Sequence, residues 1–160
     1  MHIVLAAVGK LKAGPDRELF ERYWDRVAAS GRTVGIANIR CVEIPESRSA
    51  NGAERKADEA LRLLRIPVQG ARSIVLDETG QSLTSQTFAA FIRRQCDGGV
   101  PELAIFIGGP DGHGEALLKK ADLVLNLGTM TLPHGLARIV LAEQVYRATT
   151  ILAGHPYHRS

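Results

Sequence analysis

The apolar positions of this chain follow two alternating rhythms. Residues 3–8 (IVLAAV) form an unbroken apolar run that ends at Gly9, the pattern of a strand buried on both faces. Residues 14–30 instead place Leu19, Phe20, Tyr23, Trp24, Val27 and Ala28 three and four apart behind Pro15, which predicts an amphipathic helix. Residues 36–44 (IANIRCVEI) read as a second strand, stopped by Pro45. A polar, turn-rich stretch then leads into a helix over residues 53–64, with Ala57, Ala60, Leu61 and Leu64 on one face. The same reading gives a strand at 73–77, a helix at 85–96 and a strand at 103–107. A short helix at 115–121, a strand at 123–127 and a long final helix at 134–153 complete it.

Strand and helix alternate through all 160 residues without a linker or repeat, which predicts a single α/β domain, a mostly parallel sheet with helices on both faces. The last helix is apolar around nearly its whole circumference, so more than one of its sides must be covered. Either it lies centrally within the domain or a second subunit covers it.

Composition narrows the classes. With 45% hydrophobic and 23% charged residues the chain is neither disordered nor a membrane protein, since no apolar run approaches the roughly 20 residues of a spanning helix. Cys41 and Cys96 form no CxxC pair, which argues against a disulfide scaffold or cysteine zinc site and fits a reducing cytoplasm. No basic segment precedes the first apolar run, so it reads as a strand and not as a signal peptide. A net charge of +3 permits nucleic-acid binding without demanding it.

In open α/β sheets ligands bind beyond the carboxyl ends of strands. Three such ends carry unusual residues: Asp77-Glu78-Thr79-Gly80 after Leu76, residues 108–114 (GGPDGHG) after Ile107, and residues 128–134 (GTMTLPH) after Leu127. The second fails the GxGxxG spacing and lacks the GK[ST] of a phosphate loop. The third is small and apolar, which suits an uncharged heterocycle held by backbone N–H and C=O groups. His134 opens the last helix, where a capping or packing role is its ordinary explanation. No metal site is expected at any of the histidines. Glu143 and Arg147 are an i,i+4 pair that a plain surface ion pair explains. The terminal Tyr157-His158-Arg159 combines stacking, proton transfer and phosphate contact, and matters only if the tail docks over a pocket.

LDETG, FIGGPDGHG, LGTMTLPHGLARIVLAEQVYRA and HPYHR together resemble the ribosomal RNA large-subunit methyltransferase H family, small bacterial members of the SPOUT (trefoil-knot) methyltransferases. The resemblance extends over the whole chain, including its AAVGK start. It implies a deep C-terminal trefoil knot, a homodimer, S-adenosylmethionine as methyl donor, and N3 of a pseudouridine in 23S rRNA as acceptor; the modest charge of +3 adds the expectation that the assembled ribosome, more than isolated RNA, is the substrate. Carried onto this sequence, it assigns cofactor contacts to Leu76, Gly108, Leu127, Gly128, Thr129, Met130, Thr131 and Leu132. It assigns catalysis to Arg147, Tyr157 and His158, with Arg159 and His134 toward the RNA. Gly128 departs from the serine of many relatives. Methylation of another base or of a ribose, and a non-enzymatic ribosome-binding role, remain the alternatives.

Overall fold

A computed structural model of the protein describes residues 1–158. The strands are β1 (His2–Val8), β2 (Asn38–Ile44), β3 (Arg72–Ser82), β4 (Glu102–Ile107) and β5 (Leu123–Asn126). The helices are α1 (Pro15–Gly31), α2 (Gly52–Leu63), α3 (Ser85–Asp97), α4 (Glu115–Lys120) and α5 (His134–Leu152), with one 3-10 turn at Arg32–Val34. The strands form one sheet in the order β2-β1-β4-β3-β5, and every pairing is parallel. β1 and β4 lie inside the sheet, which is why their sequences run apolar without alternation.

The pleat sends successive β1 residues to opposite faces. Ile3, Leu5 and Ala7 join Phe20, Trp24, Ile92, Leu141 and Val145 beneath α1, α3 and α5. Val4, Ala6 and Val8 join Ala60, Leu63 and Leu117 beneath α2 and α4. Helix α5 packs between α1 and α3 over the sheet, so one chain covers almost all of its apolar circumference. Leu136, in its first turn, is the large apolar residue of α5 left exposed. The central position of α5 therefore accounts for its composition without a second subunit.

Two boundaries differ from the sequence reading by more than one residue. β2 begins at Asn38, because the N–H of Ile36 is turned back to the Gly31 carbonyl at 2.9 Å although Ile36 itself is buried. β3 continues past Asp77 to Ser82, pairing with β5 first through Leu76 and again through Gln81 and Ser82, with a register break between. The bulged Asp77–Gly80 segment is held locally: Asp77 Oδ1 accepts from the Thr79 N–H at 3.0 Å, and Asn126 Nδ2 donates to the Glu78 carbonyl at 2.8 Å. Gly80 returns the chain to the ladder so closely that a β-carbon there would lie 2.7 Å from the backbone of Val124 and Leu125. No described helix is long and apolar enough to cross a membrane.

Candidate functional site

The carboxyl ends of β1, β4, β3 and β5 open onto one cleft of about 1180 Å³. Its walls include every residue the sequence assigned to a cofactor (Leu76, Gly108 and residues 127–132), and His134 as well. The 108–114 loop is rigid despite its glycines. Its turn closes with the Gly112 N–H on the Gly109 carbonyl at 3.0 Å. Asp111 is clamped to α2 by Arg55, whose Nε and Nη2 donate at 2.6 and 3.1 Å. Across the cleft, Asn126 Oδ1 accepts from the Gly128 N–H at 2.5 Å and starts the 127–133 loop. Gly128 has φ +135°, and a β-carbon there would meet no atom within 4 Å, so this backbone borders open space. Thr129, Met130 and Thr131 are exposed, Met130 at 83%.

Two imidazoles border Gly108. His134 Nε2 lies 2.8 Å from the Gly108 carbonyl, which can only accept, so the proton sits on Nε2. Burial and the nearby Arg138 cation hold this ring below the ordinary histidine range against the pull of that hydrogen bond. His113 is buried, and burial likewise pushes it down, offset in part by the Leu76 main chain and Asp77. Its Nε2 is buried without a partner among the described residues. Both rings are therefore neutral at physiological pH, so His134 meets the cleft as a neutral donor already engaged within its own chain.

Arg147 and Tyr157 gather elsewhere, and His158 follows Tyr157 in the chain. Glu143 Oε1 accepts from Arg147 Nε at 3.0 Å, Arg147 Nη2 at 2.6 Å and the Tyr157 hydroxyl at 3.1 Å. The Arg147 guanidinium lies 5.0 Å from the centre of the Tyr157 ring, which also packs on Tyr146 at 4.8 Å. Burial and hydrogen bonding to Tyr23 and Glu143 push the Tyr157 phenol up to about 12, so it stays protonated and donates. The Glu143 hydrogen bonds raise Arg147 further above its already high value. Both ring nitrogens of His158 are buried without a partner among the described residues. Arg159 lies outside the described residues. Thirteen residues of α5 separate His134 from Arg147, about 20 Å along the helix. Within one chain the two groups of residues do not meet.

Sequence reasoning missed three features of this region. Glu143 is the hub of the second cluster and not a simple surface partner. His113 was passed over inside a glycine-rich loop. The fourth strand end in the cleft, residues 9–16 after β1, also went unread, although the strand-end rule that picked out the other three applies equally to it.

An all-parallel sheet covered on both faces, with a ligand-sized cleft where four strand ends converge, defines an open α/β protein with a binding site at its strand ends. Residues 1–158 match the family described as "Predicted SPOUT methyltransferase". The chain belongs to the SPOUT methyltransferase family. It is 53% identical over 160 residues, the whole of both chains, to a protein of Brucella anthropi named "Ribosomal RNA large subunit methyltransferase H". Its identity to the proteins of that name from Sinorhizobium fredii and Brucella abortus is 52% over 160 and 50% over 169 aligned positions, again across the whole of each chain. Among solved structures it is similar to the SpoU methyltransferase AviRb of Streptomyces viridochromogenes, with a TM-score of 0.40 and 12% identity over 92% of this chain and 59% of that one.

Proposed function

We propose that the protein is an S-adenosylmethionine-dependent methyltransferase that modifies N3 of a pseudouridine in 23S rRNA, on the assembled ribosome, and works as a homodimer in the bacterial cytoplasm. Membership of the SPOUT methyltransferases and the name shared by its full-length relatives support the reaction class. The observation that carries the reading is the cleft itself, where one contiguous run of backbone, residues 127–132, faces Gly108 and Leu76. Its volume exceeds what one drug-sized ligand fills, which leaves room for an acceptor base beside the donor. A side chain at Gly128 would project into that space, so the missing β-carbon fits an adenosyl group laid against the main chain. Loss of serine at this position costs nothing if the contact is made by backbone.

When bound, S-adenosylmethionine supplies a methyl group made electrophilic by its sulfonium. The chain's residues supply position and proton handling. The 108–112 turn, fixed by Arg55, and the 127–132 run would hold the donor against the strand ends. His158, whose ring nitrogens have no partner among the described residues, takes the proton that must leave N3 of the acceptor. Arg147, oriented by Glu143, stabilises the negative charge that develops on the pyrimidine, and Arg159 grips phosphate. Tyr157 donates through its hydroxyl and braces the guanidinium with its ring. The roughly 20 Å of α5 between these residues and the cleft favours a site completed by the tail of the other subunit. Met130, exposed at the lip, and Leu136, exposed in the first turn of α5, are apolar and suited to contact with that subunit.

The deciding experiment is nucleoside mass spectrometry of 23S rRNA from cells with and without the protein. Loss of a methylated pseudouridine supports the reading, and loss of a different methylated nucleoside redirects it. Calorimetric titration with S-adenosylmethionine separates an enzyme from a ribosome-binding factor, which binds none.

A further inference from the structure

The segment between β1 and α1 forms a wall of the cleft beside the start of α5. It is held more firmly than a six-residue loop requires. The Gly9 N–H donates to the Ile44 carbonyl at 2.8 Å, and the Gly14 carbonyl accepts from the Glu18 N–H at 3.1 Å. Between them the Leu11 N–H donates to Glu43 Oε1 at 2.8 Å, and the Leu11 side chain packs on the core. Arg138 reaches up from α5, completely buried, and Nη2 donates to the Val8 carbonyl at 3.1 Å and the Gly9 carbonyl at 2.5 Å. Its Nη1 pairs with Glu43, which Arg17 also approaches at 3.5 Å. A buried guanidinium is costly unless its charge is matched, and here the strand ends under this loop match both terminal nitrogens, Nε having no partner among the described residues.

Pinning Leu11 inward sends its two neighbours outward. Lys10 and Lys12 are exposed at the lip of the cleft. Neither makes an ion pair within the described residues, unlike Lys119, which sits 2.7 Å from Glu115. Holding a loop rigid in order to present two unpaired ammonium groups beside a cleft serves an anionic partner that lies across it. Asp16 and Glu46 share the lip, so no broad positive field forms and the lysines act by contact.

We infer that residues 9–14 are the acceptor wall of the site, with Lys10 and Lys12 on phosphates of the substrate RNA, and that Arg138 and Glu43 are positioning residues that set this wall. The inference rests on the RNA methyltransferase reading above. Its test uses the full-length protein, S-adenosylmethionine and purified ribosomes lacking the modification. In the double variant K10A/K12A, KM for ribosomes rises roughly tenfold and the slope of log affinity against log salt drops by about 2, since each lysine that leaves a phosphate removes about one unit. Affinity for S-adenosylmethionine, measured by calorimetry, stays within about twofold. Glu43→Gln, which touches no substrate, raises the same KM with little change in kcat. Ile92→Val, a core change beneath α3 and away from the cleft lining, leaves KM alone. An unchanged KM and salt slope in K10A/K12A, or a loss of cofactor affinity in its place, overturns the inference. Sedimentation of the protein with ribosomes across a salt series reads the lysine contacts without catalysis. If wild-type protein sediments and the double variant does not, yet no methyl is transferred, the functional reading fails and the RNA-facing wall stands.

Discussion

Glu143 concentrates three donors on one oxygen, while its other oxygen accepts from Gln144 at 2.7 Å. Replacing it with Gln keeps the shape and removes the charge that orients Arg147. Methyl transfer should fall by roughly a hundredfold, with binding of S-adenosylmethionine unchanged, as for loss of one charge-stabilising contact in a transition state. His158→Ala tests the proposed base directly in the same assay, and near-wild-type rates would remove His158 from the chemistry. Glu43 makes a different prediction. Burial alone would raise its carboxyl, but the Leu11 N–H, Arg138 and Arg17 outweigh it and hold the group below its ordinary value of 4.5. A depressed carboxylate favours the folded state above the unfolded pKa, and that stabilisation disappears as pH falls through the folded one. Urea midpoints should thus drop more steeply below about pH 4.5 in the wild type than in Glu43→Gln. The chemistry of Arg147 and the tail was legible only through resemblance. Spacing alone gives Glu143–Arg147 as an ordinary i,i+4 pair, because nothing local reports that Tyr157 folds back onto it.

At the scale of elements, periodicity found every strand and every α-helix, since each buries a stripe or a face that its sequence must supply. What it could not find was where β3 ends. Asp-Glu-Thr-Gly is good turn chemistry and does form a local turn, yet the strand resumes because β5 offers a second stretch of ladder beyond the bulge. That re-pairing depends on the bare Gly80. Gly80→Ala puts a methyl group 2.7 Å from two peptide carbons of β5, with no side-chain end free to yield. Overpacking of this kind costs about 1–3 kcal/mol. Chemical denaturation should report the loss, and affinity for S-adenosylmethionine should fall with it, because β5 carries the 127–132 run. The Asx-type hold on Gly128 by Asn126 was equally hidden, being a contact between residues two apart that has no periodic signature.

For the whole molecule, the distance between the cleft and the Arg147–Tyr157–His158 cluster sets the test. If each site borrows its tail from the other subunit, a Gly128→Leu chain (cleft blocked) and a His158→Ala chain (tail disabled) are each inactive as homodimers. Co-expressed, they should recover methyl transfer, because one site of the mixed dimer combines an intact cleft with an intact tail. Activity absent from the mixture would return the site to a single chain. The modest charge of +3 is a second molecular-scale constraint, since tight binding to RNA alone draws on many phosphate contacts. Naked 23S transcript should therefore be a poor substrate beside the assembled subunit, measured as tritium transferred from labelled donor.

Arg138 donates to carbonyls 129 and 130 positions earlier in the chain. During synthesis the first strand emerges long before the helix that locks its end, and pairings of such long range form slowly. A nascent chain halted before the last helix would have a mostly assembled sheet with a loose mouth. The newborn protein completes its binding cleft only once α5 has packed against the end of β1.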